Sequence, residues 1–125
     1  MRKVPIPSTF DEADAIIDEY GKPTGPDILT VKCDRPNTFL FRSEAGPDVT
    51  LYLYRTPIVS FHPTGNVTLR SGGHTTTLTK ERINRVLEPL GYRLFARNRI
   101  WHISTPRGHT RIFDENMTIR PRLGI

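Results

Sequence analysis

The stretch from Gly91 to Phe113 constrains the fold most, because its polarity switches to period two and keeps that period through three short runs. Tyr92 to Arg97, Ile100 to Ser104 and His109 to Phe113 read as antiparallel strands, joined by Asn98-Arg99 and by Thr105-Pro106-Arg107-Gly108. With tight turns at both joints, one face collects Tyr92, Leu94, Ala96, Trp101, Ile103 and Ile112 and is apolar enough to meet a core. The other face collects Arg93, Phe95, Arg97, Ile100, His102, His109, Arg111 and Phe113. Guanidinium groups on such a surface can lie on phosphates while a ring stacks on a base, a stack worth roughly 1 to 3 kcal/mol in single-strand binders. The plainer alternative has Phe95, Ile100 and Phe113 covered by the first helix or the tail, with the arginines reaching past them to water.

Upstream, Ser8 or Thr9 followed three residues later by Asp11 or Glu12 resembles a capping box, and Phe10, Ala13, Ile16, Ile17 and Tyr20 recur at helical spacing. A helix over about 9–20 is predicted, stopping at Gly21, with an acidic outer face left to solvent. Lys22 to Asp27 reads as a breaker, and Arg35-Pro36 and Gly46-Pro47 punctuate short strands near Leu29 to Lys32 and Thr38 to Arg42. Thr50 to Phe61 is β-rich, with Pro57 marking an edge or a bulge. If Thr64-Gly65 centres the turn that follows, Ile58, Ser60, His62, Val67 and Leu69 share one face, and Val59, Phe61, Thr68 and Arg70 the other. A second helix is expected over about 79–88, capped by Thr79 and carrying Ile83, Val86, Leu87 and Leu90 inward, with Lys80, Arg82 and Arg85 exposed.

These readings assemble into a single α+β domain of 125 residues, mostly antiparallel sheet, with 1–8 and 121–125 as loose termini. No apolar run reaches the roughly 20 residues of a bilayer span, and the N-terminus lacks the pattern of a secretion signal, so a soluble cytoplasmic protein without membrane partners is expected. Cys33 is the only cysteine, so a disulfide within one chain and a thiolate cluster are excluded. It reads as a buried, unreactive thiol.

Charge is unevenly distributed. Residues 1–50 carry six Lys/Arg against nine Asp/Glu, whereas residues 51–125 carry twelve against four, and fourteen of the eighteen bases are arginine. Arginine's planar fork suits phosphate, carboxylate and flat rings, which points to nucleic acid, a nucleotide or an acidic protein surface.

A second candidate lies at Ser71-Gly72-Gly73-His74-Thr75-Thr76-Thr77-Leu78-Thr79-Lys80, where glycines and hydroxyls precede a helix start. Free N–H groups there can meet a phosphate. The Walker spacing is absent, and the same residues serve equally as a turn and a cap. The candidate phosphate or nucleic-acid contacts are therefore Ser71, Gly72, Gly73, Thr75, Thr77, Thr79, Lys80, Arg82, Arg85, Arg93, Phe95, Arg97, Arg99, His102 and Arg111.

Catalytic and metal motifs are missing from the sequence. His62, His74, His102 and His109 make no H-x-x-x-H or H-E-x-x-H pattern, Asp114 and Glu115 point apart in any strand or turn, and G-x-S-x-G is absent. The expectation is a non-enzymatic protein without catalytic residues, metal ligands or cofactor.

The residues Asn37-Thr38-Phe39-Leu40, Arg55-Thr56-Pro57-Ile58-Val59, Phe61, Pro63-Thr64-Gly65, Val67, Leu69, Ser71-Gly72-Gly73, Thr75, Thr77, Thr79-Lys80, Arg82-Ile83-Asn84, Gly91-Tyr92-Arg93 and Trp101 resemble a family of small tailed-bacteriophage proteins. The likeness covers about residues 35–103, and the run from Ser71 to Asn84 is its most specific part. The chain departs from the family pattern at His74, where an aromatic residue is usual, and at Leu78, where threonine is common.

No activity is assigned to that family, so the resemblance implies an origin and a setting in the host cytoplasm. Small phage proteins of this kind commonly bind a host protein, nucleic acid or a signalling nucleotide. The leading expectation is a nucleic-acid binder gripping phosphates through the basic strands and the start of the second helix. A protein inhibitor docking on an acidic host factor is the alternative, and a nucleotide-sequestering protein using the Gly72-Gly73, Thr and Lys80 loop is a third. An exposed sheet edge near Pro57 or at His109 to Phe113 would permit a homodimer.

Overall fold

The computed structural model describes residues 3–125 and is an α+β domain of two α-helices and ten strands, every strand pair antiparallel. In chain order the elements are α1 (Phe10–Tyr20), β1 (Lys22–Gly25), β2 (Ile28–Lys32), β3 (Thr38–Ser43), β4 (Val49–Leu53), β5 (Thr56–Phe61), β6 (Val67–Leu69), α2 (Thr77–Leu87), β7 (Arg93–Arg97), β8 (Ile100–Ser104), β9 (Thr110–Ile112) and β10 (Met117–Ile119). Seven strands form one sheet in the order β1-β2-β3-β4-β5-β6-β10, while β7-β8-β9 form a separate ribbon.

Strand alternation builds the core of the large sheet. One cross-strand row runs Val31, Leu40, Leu51, Val59, Leu69 and Met117, all buried, and beside it run Val49, Phe61, Val67 and Ile119. Each such side chain contributes about 1.5 to 3 kcal/mol by leaving water. Both helices pack on this inner face: α1 buries Ala13 and Ile17 against β2, β3 and β4, and α2 buries Ile83, Val86 and Leu87 between β5 and β7.

At the start of α1, Thr9 is the cap. Its Oγ1 accepts from the Glu12 N–H at 3.1 Å and donates to Glu12 Oε1 at 3.1 Å. The acidic face is largely exposed as expected, but two of its members are also paired, since Arg42 reaches up from β3 to Asp14 at 2.5 Å and Asp18 at 2.8 Å. Lys22 to Asp27 does not merely break the chain: Lys22–Gly25 pairs with β2, and Asp27 takes the positive φ of 59° that the turn requires.

The β-rich run from Thr50 is two strands, since Tyr54-Arg55 reverses it and Leu53 pairs with Thr56. Pro57 sits at the bulge, where the β4–β5 register shifts between Leu51 and Tyr52.

Two registers differ from the expected ones for one shared reason. His62 and Asn66 close a three-residue loop, Pro63-Thr64-Gly65, and Thr105 and His109 close another, Pro106-Arg107-Gly108. In both, the glycine N–H donates to the carbonyl three residues back, at 2.9 Å, with φ of 93° at Gly65 and 84° at Gly108. An odd loop length exchanges the faces. Val59, Phe61, Val67 and Leu69 therefore share the core face, with Ser60, His62, Thr68 and Arg70 on the opposite face, where Ser60 and Thr68 are themselves buried. In the ribbon, Ile112 pairs with His102 on the outer face and is 57% exposed, while Arg111 and Phe113 move to the side of Ile103 and Trp101.

Helix α2 begins two residues earlier than expected. Thr76, rather than Thr79, is its cap, with Oγ1 accepting from the Thr79 N–H at 3.2 Å, and Thr79 is buried in the first turn. Pro89 does not stop the chain from coiling but narrows it to a 3-10 turn over Glu88–Leu90.

Residues near both ends make contacts with the domain where they are described. Val4 is buried and accepts from the Asp34 N–H at 2.7 Å, and Pro121–Leu123 forms a 3-10 turn whose neighbour Ile125 accepts from the Tyr92 hydroxyl at 3.2 Å. Residues 1–2 of the expected loose segment lie outside the described residues. Cys33 is buried, and burial, reinforced by Asp34, pushes its thiol up to about 12.

Candidate nucleic-acid interface on the three-stranded ribbon

The ribbon is fixed from beneath. Leu94, Trp101 and Ile103 are buried on its inner face, Phe113 meets Trp101 edge-on with ring centroids 5.4 Å apart, and Tyr92 is fully buried next to them. Burial pushes the Tyr92 phenol up, against the opposing pull of Arg111 and Arg107. Asn84 of α2 holds the free edge of β7: its side-chain amide donates to the Leu94 carbonyl and accepts from the Leu94 N–H, both at 2.8 Å. A side chain thus completes the ladder where another strand would otherwise sit.

Register alone assembles the outer face. Phe95, His102 and Ile112 lie directly across from one another, and Arg97 pairs with Ile100, so these residues and Arg93 project from one side. The Phe95 and His102 rings stack with centroids 5.5 Å apart at an interplanar angle of 18°, and the Arg97 guanidinium lies 5.5 Å from the Phe95 centroid. His102 Nδ1–H donates to the Ile100 carbonyl at 2.9 Å, which leaves Nε2 pointing to other partners. Arg99 takes a φ of 66° in the two-residue turn with Asn98 at the ribbon tip. Among the described residues, none of Arg93, Arg97 or Arg99 pairs with a carboxylate, and all three are exposed.

The expected site is thus brought together only in part. Arg93, Phe95, Arg97 and His102 share the outer face with Arg99 at its end, whereas Arg111 lies on the opposite side of the ribbon. Arg82 is not an exposed helix cation. It is 6% exposed, donating to Thr38 Oγ1 at 2.9 Å and to the Pro36 carbonyl at 3.4 Å while pairing with Glu81. Arg85 also binds Glu81, at 2.8 Å. Burial raises the Glu81 carboxyl, but the hydrogen bonds from Arg85 and Arg82 outweigh it and hold the group below its ordinary value. Lys80 lines a shallow groove with Glu81, Arg85 and Glu88, where the charges are mixed.

The Gly-Gly loop is an anion nest, and its anion belongs to this chain. The Glu115 carboxylate accepts from the Ser71 N–H at 2.9 Å, from the Gly72 N–H at 3.3 Å and from the Ser71 hydroxyl. The Gly73 N–H donates to Ser71 Oγ at 3.1 Å, and Thr75 and Thr77 are exposed beyond it. The phosphate cradle expected from Ser71, Gly72 and Gly73 is therefore filled, and Thr79 is turned inward. Glu115 sits 44 residues from Ser71, so no local pattern announced the contact.

The outer face of the large sheet carries a further polar network. Asp48 lies across from His62 and meets its Nδ1 at 3.1 Å, while His62 Nε2 meets Thr68 Oγ1 at 2.7 Å. The order carboxylate, imidazole, hydroxyl is that of a nucleophilic relay. Thr68, however, is only 7% exposed and also contacts Thr118 Oγ1 at 3.3 Å, so the chain of contacts stitches β4, β6 and β10 together. Arg70 closes the same network by donating to Ser60 at 2.8 Å and to Asn116 at 2.6 Å.

Among the described residues, no group of three or more His, Cys, Asp or Glu converges as a metal site, and no helix is long and apolar enough to cross a membrane. No family model, curated protein or solved structure matches the chain.

Proposed function

We propose that this chain binds single-stranded nucleic acid through the outer face of the β7–β8–β9 ribbon. The observation that carries the reading is the stack of Arg97 over Phe95 beside His102, flanked by Arg93 and Arg99 with no carboxylate opposite them. Half-buried rings offer aromatic surface to an unstacked base, and unpaired guanidinium groups offer forks to the phosphates on either side. A duplex hides its base faces, so this arrangement favours a single strand. The resemblance of residues 35–103 to phage proteins supports, within the same proposal, a setting in a bacterial host's cytoplasm.

An electrophoretic shift with a single-stranded oligonucleotide, titrated with salt, tests it. Binding at about 50 mM salt that weakens steeply by about 200 mM is expected, because each neutralised phosphate releases counterions. Absence of binding at the lower salt, or a flat salt response, overturns the proposal. Ile100 and Ile112, 50% and 57% exposed on the same face, favour a second reading in which the ribbon docks on an acidic host protein. Capture of one protein from nuclease-treated lysate, with no oligonucleotide shift, would select it.

A further inference from the structure

We infer that a cavity beside the first turn of α2 is a binding site for a small uncharged heteroaromatic molecule of the nucleoside class, separate from the ribbon. The cavity measures about 420 Å³ and lies among the β4–β5 turn, the Gly-Gly loop and the start of α2. That volume falls in the range of small-ligand sites, roughly 300 to 1,000 Å³. Leu53 and Ile58 supply buried apolar wall, and Leu78 adds a partly exposed one.

The polar groups around this wall divide into two sets. Ser71 is held by Glu115, and the Thr76 and Thr79 hydroxyls meet at 3.0 Å. Tyr54, Thr56 and His74 line the same space, and none of their side chains has a hydrogen-bond partner among the described residues. An aliphatic occupant would desolvate these three groups without replacing their bonds, whereas a ring bearing donors and acceptors satisfies them.

Charge narrows the class further. No Lys, Arg, Asp or Glu lines the cavity, so a charged group entering it would find no partner. A phosphate on the ligand would also meet a nest already holding the Glu115 carboxylate. Tyr54 is held at φ 56° and remains 58% exposed. That φ belongs to the Tyr54-Arg55 turn, which leaves the Tyr54 side chain accessible to a ligand.

The test is a titration of the intact protein with adenosine, guanosine, cytidine and uridine, with indole, and with the four 5′-monophosphates, followed by amide NMR shifts. At least one nucleoside at about 10 mM or below should shift residues 53–58 and 74–79, with its monophosphate binding more weakly. Tyr54→Ala and Thr56→Val should each weaken that nucleoside about tenfold, with amide positions elsewhere unchanged as proof of folding. Arg93→Ala with Arg97→Ala should leave it unaffected, which separates this site from the ribbon. The inference is overturned if no nucleoside shifts these residues, if indole does so while no nucleoside does, if the monophosphate binds as well as the nucleoside, or if the shifts fall on the ribbon.

Discussion

Two sheet faces in this protein look away from both helices, and they use their polar groups in opposite ways. On the large sheet Arg70 is bonded to Ser60 and Asn116, His62 to Asp48 and Thr68, and Thr50, Thr68 and Thr118 to their neighbours across the strands. On the ribbon Arg93, Arg97 and Arg99 face solvent without a carboxylate, and the half-buried Phe95 and His102 rings stack on one another. A face whose donors are already matched gains little from a new partner, because binding would only exchange bonds. A face whose cations lack carboxylate partners keeps its capacity for an anion. The basic C-terminal half therefore contains two populations of arginine, one structural and one available, which net charge alone does not distinguish.

Removing the available population tests the contrast hardest. Arg93→Ala combined with Arg97→Ala should weaken single-strand binding about 50-fold near 50 mM salt and lower the log–log salt slope by about 1.4, at roughly 0.7 per lost phosphate contact. Urea unfolding of that variant should stay within about 0.5 kcal/mol of the parent. Equal binding by the double variant would break the comparison.

Arg70→Ala should do the reverse. It leaves the Ser60 hydroxyl and the Asn116 amide without their guanidinium and should cost about 1 to 3 kcal/mol in urea unfolding, with oligonucleotide affinity unchanged.

The smallest expected effect concerns α2, where Glu81 ties Arg82 and Arg85. Because folding lowers the Glu81 pKa, its contribution is present above the unfolded value, about 4.3, and is lost as pH falls through the folded value. Thermal melts of the parent should decline more steeply below about pH 4.5 than those of Glu81→Gln. Parallel profiles would show that the pair is not tied in solution.

Local chemistry explains which features the sequence disclosed. Thr9 with Glu12, the helical spacing of Ala13 and Ile17, and the ribbon pairing about Asn98-Arg99 depend on neighbours in the chain, and each formed as the pattern implied. Asn98-Arg99 was legible because a two-residue turn with both φ positive, 53° and 66°, keeps the alternation in step. The two Pro-x-Gly loops were not read correctly, although a glycine closing a proline-led turn is the signal for a third loop residue. One residue of loop moved Ile112 out to solvent and Phe113 onto Trp101.

The candidate site was legible in a similar proportion. Arg93, Phe95, Arg97 and His102 follow from strand alternation within a dozen residues, so their convergence could be read directly. The fates of Ser71 and Arg82 depended on Glu115, Thr38 and Pro36, more than 40 positions away, and Thr76 competed with three neighbouring threonines for the cap. Distant partners of this kind leave no periodic trace.

The Asn84 clamp on Leu94 also bears on self-assembly. With the Leu94 stretch of the β7 margin occupied by an amide, the ribbon's more open margin for another strand is β9, where Thr110, Arg111 and Ile112 are all exposed. Two copies joined along β9 would each consume that margin, so addition there closes on a two-fold pair.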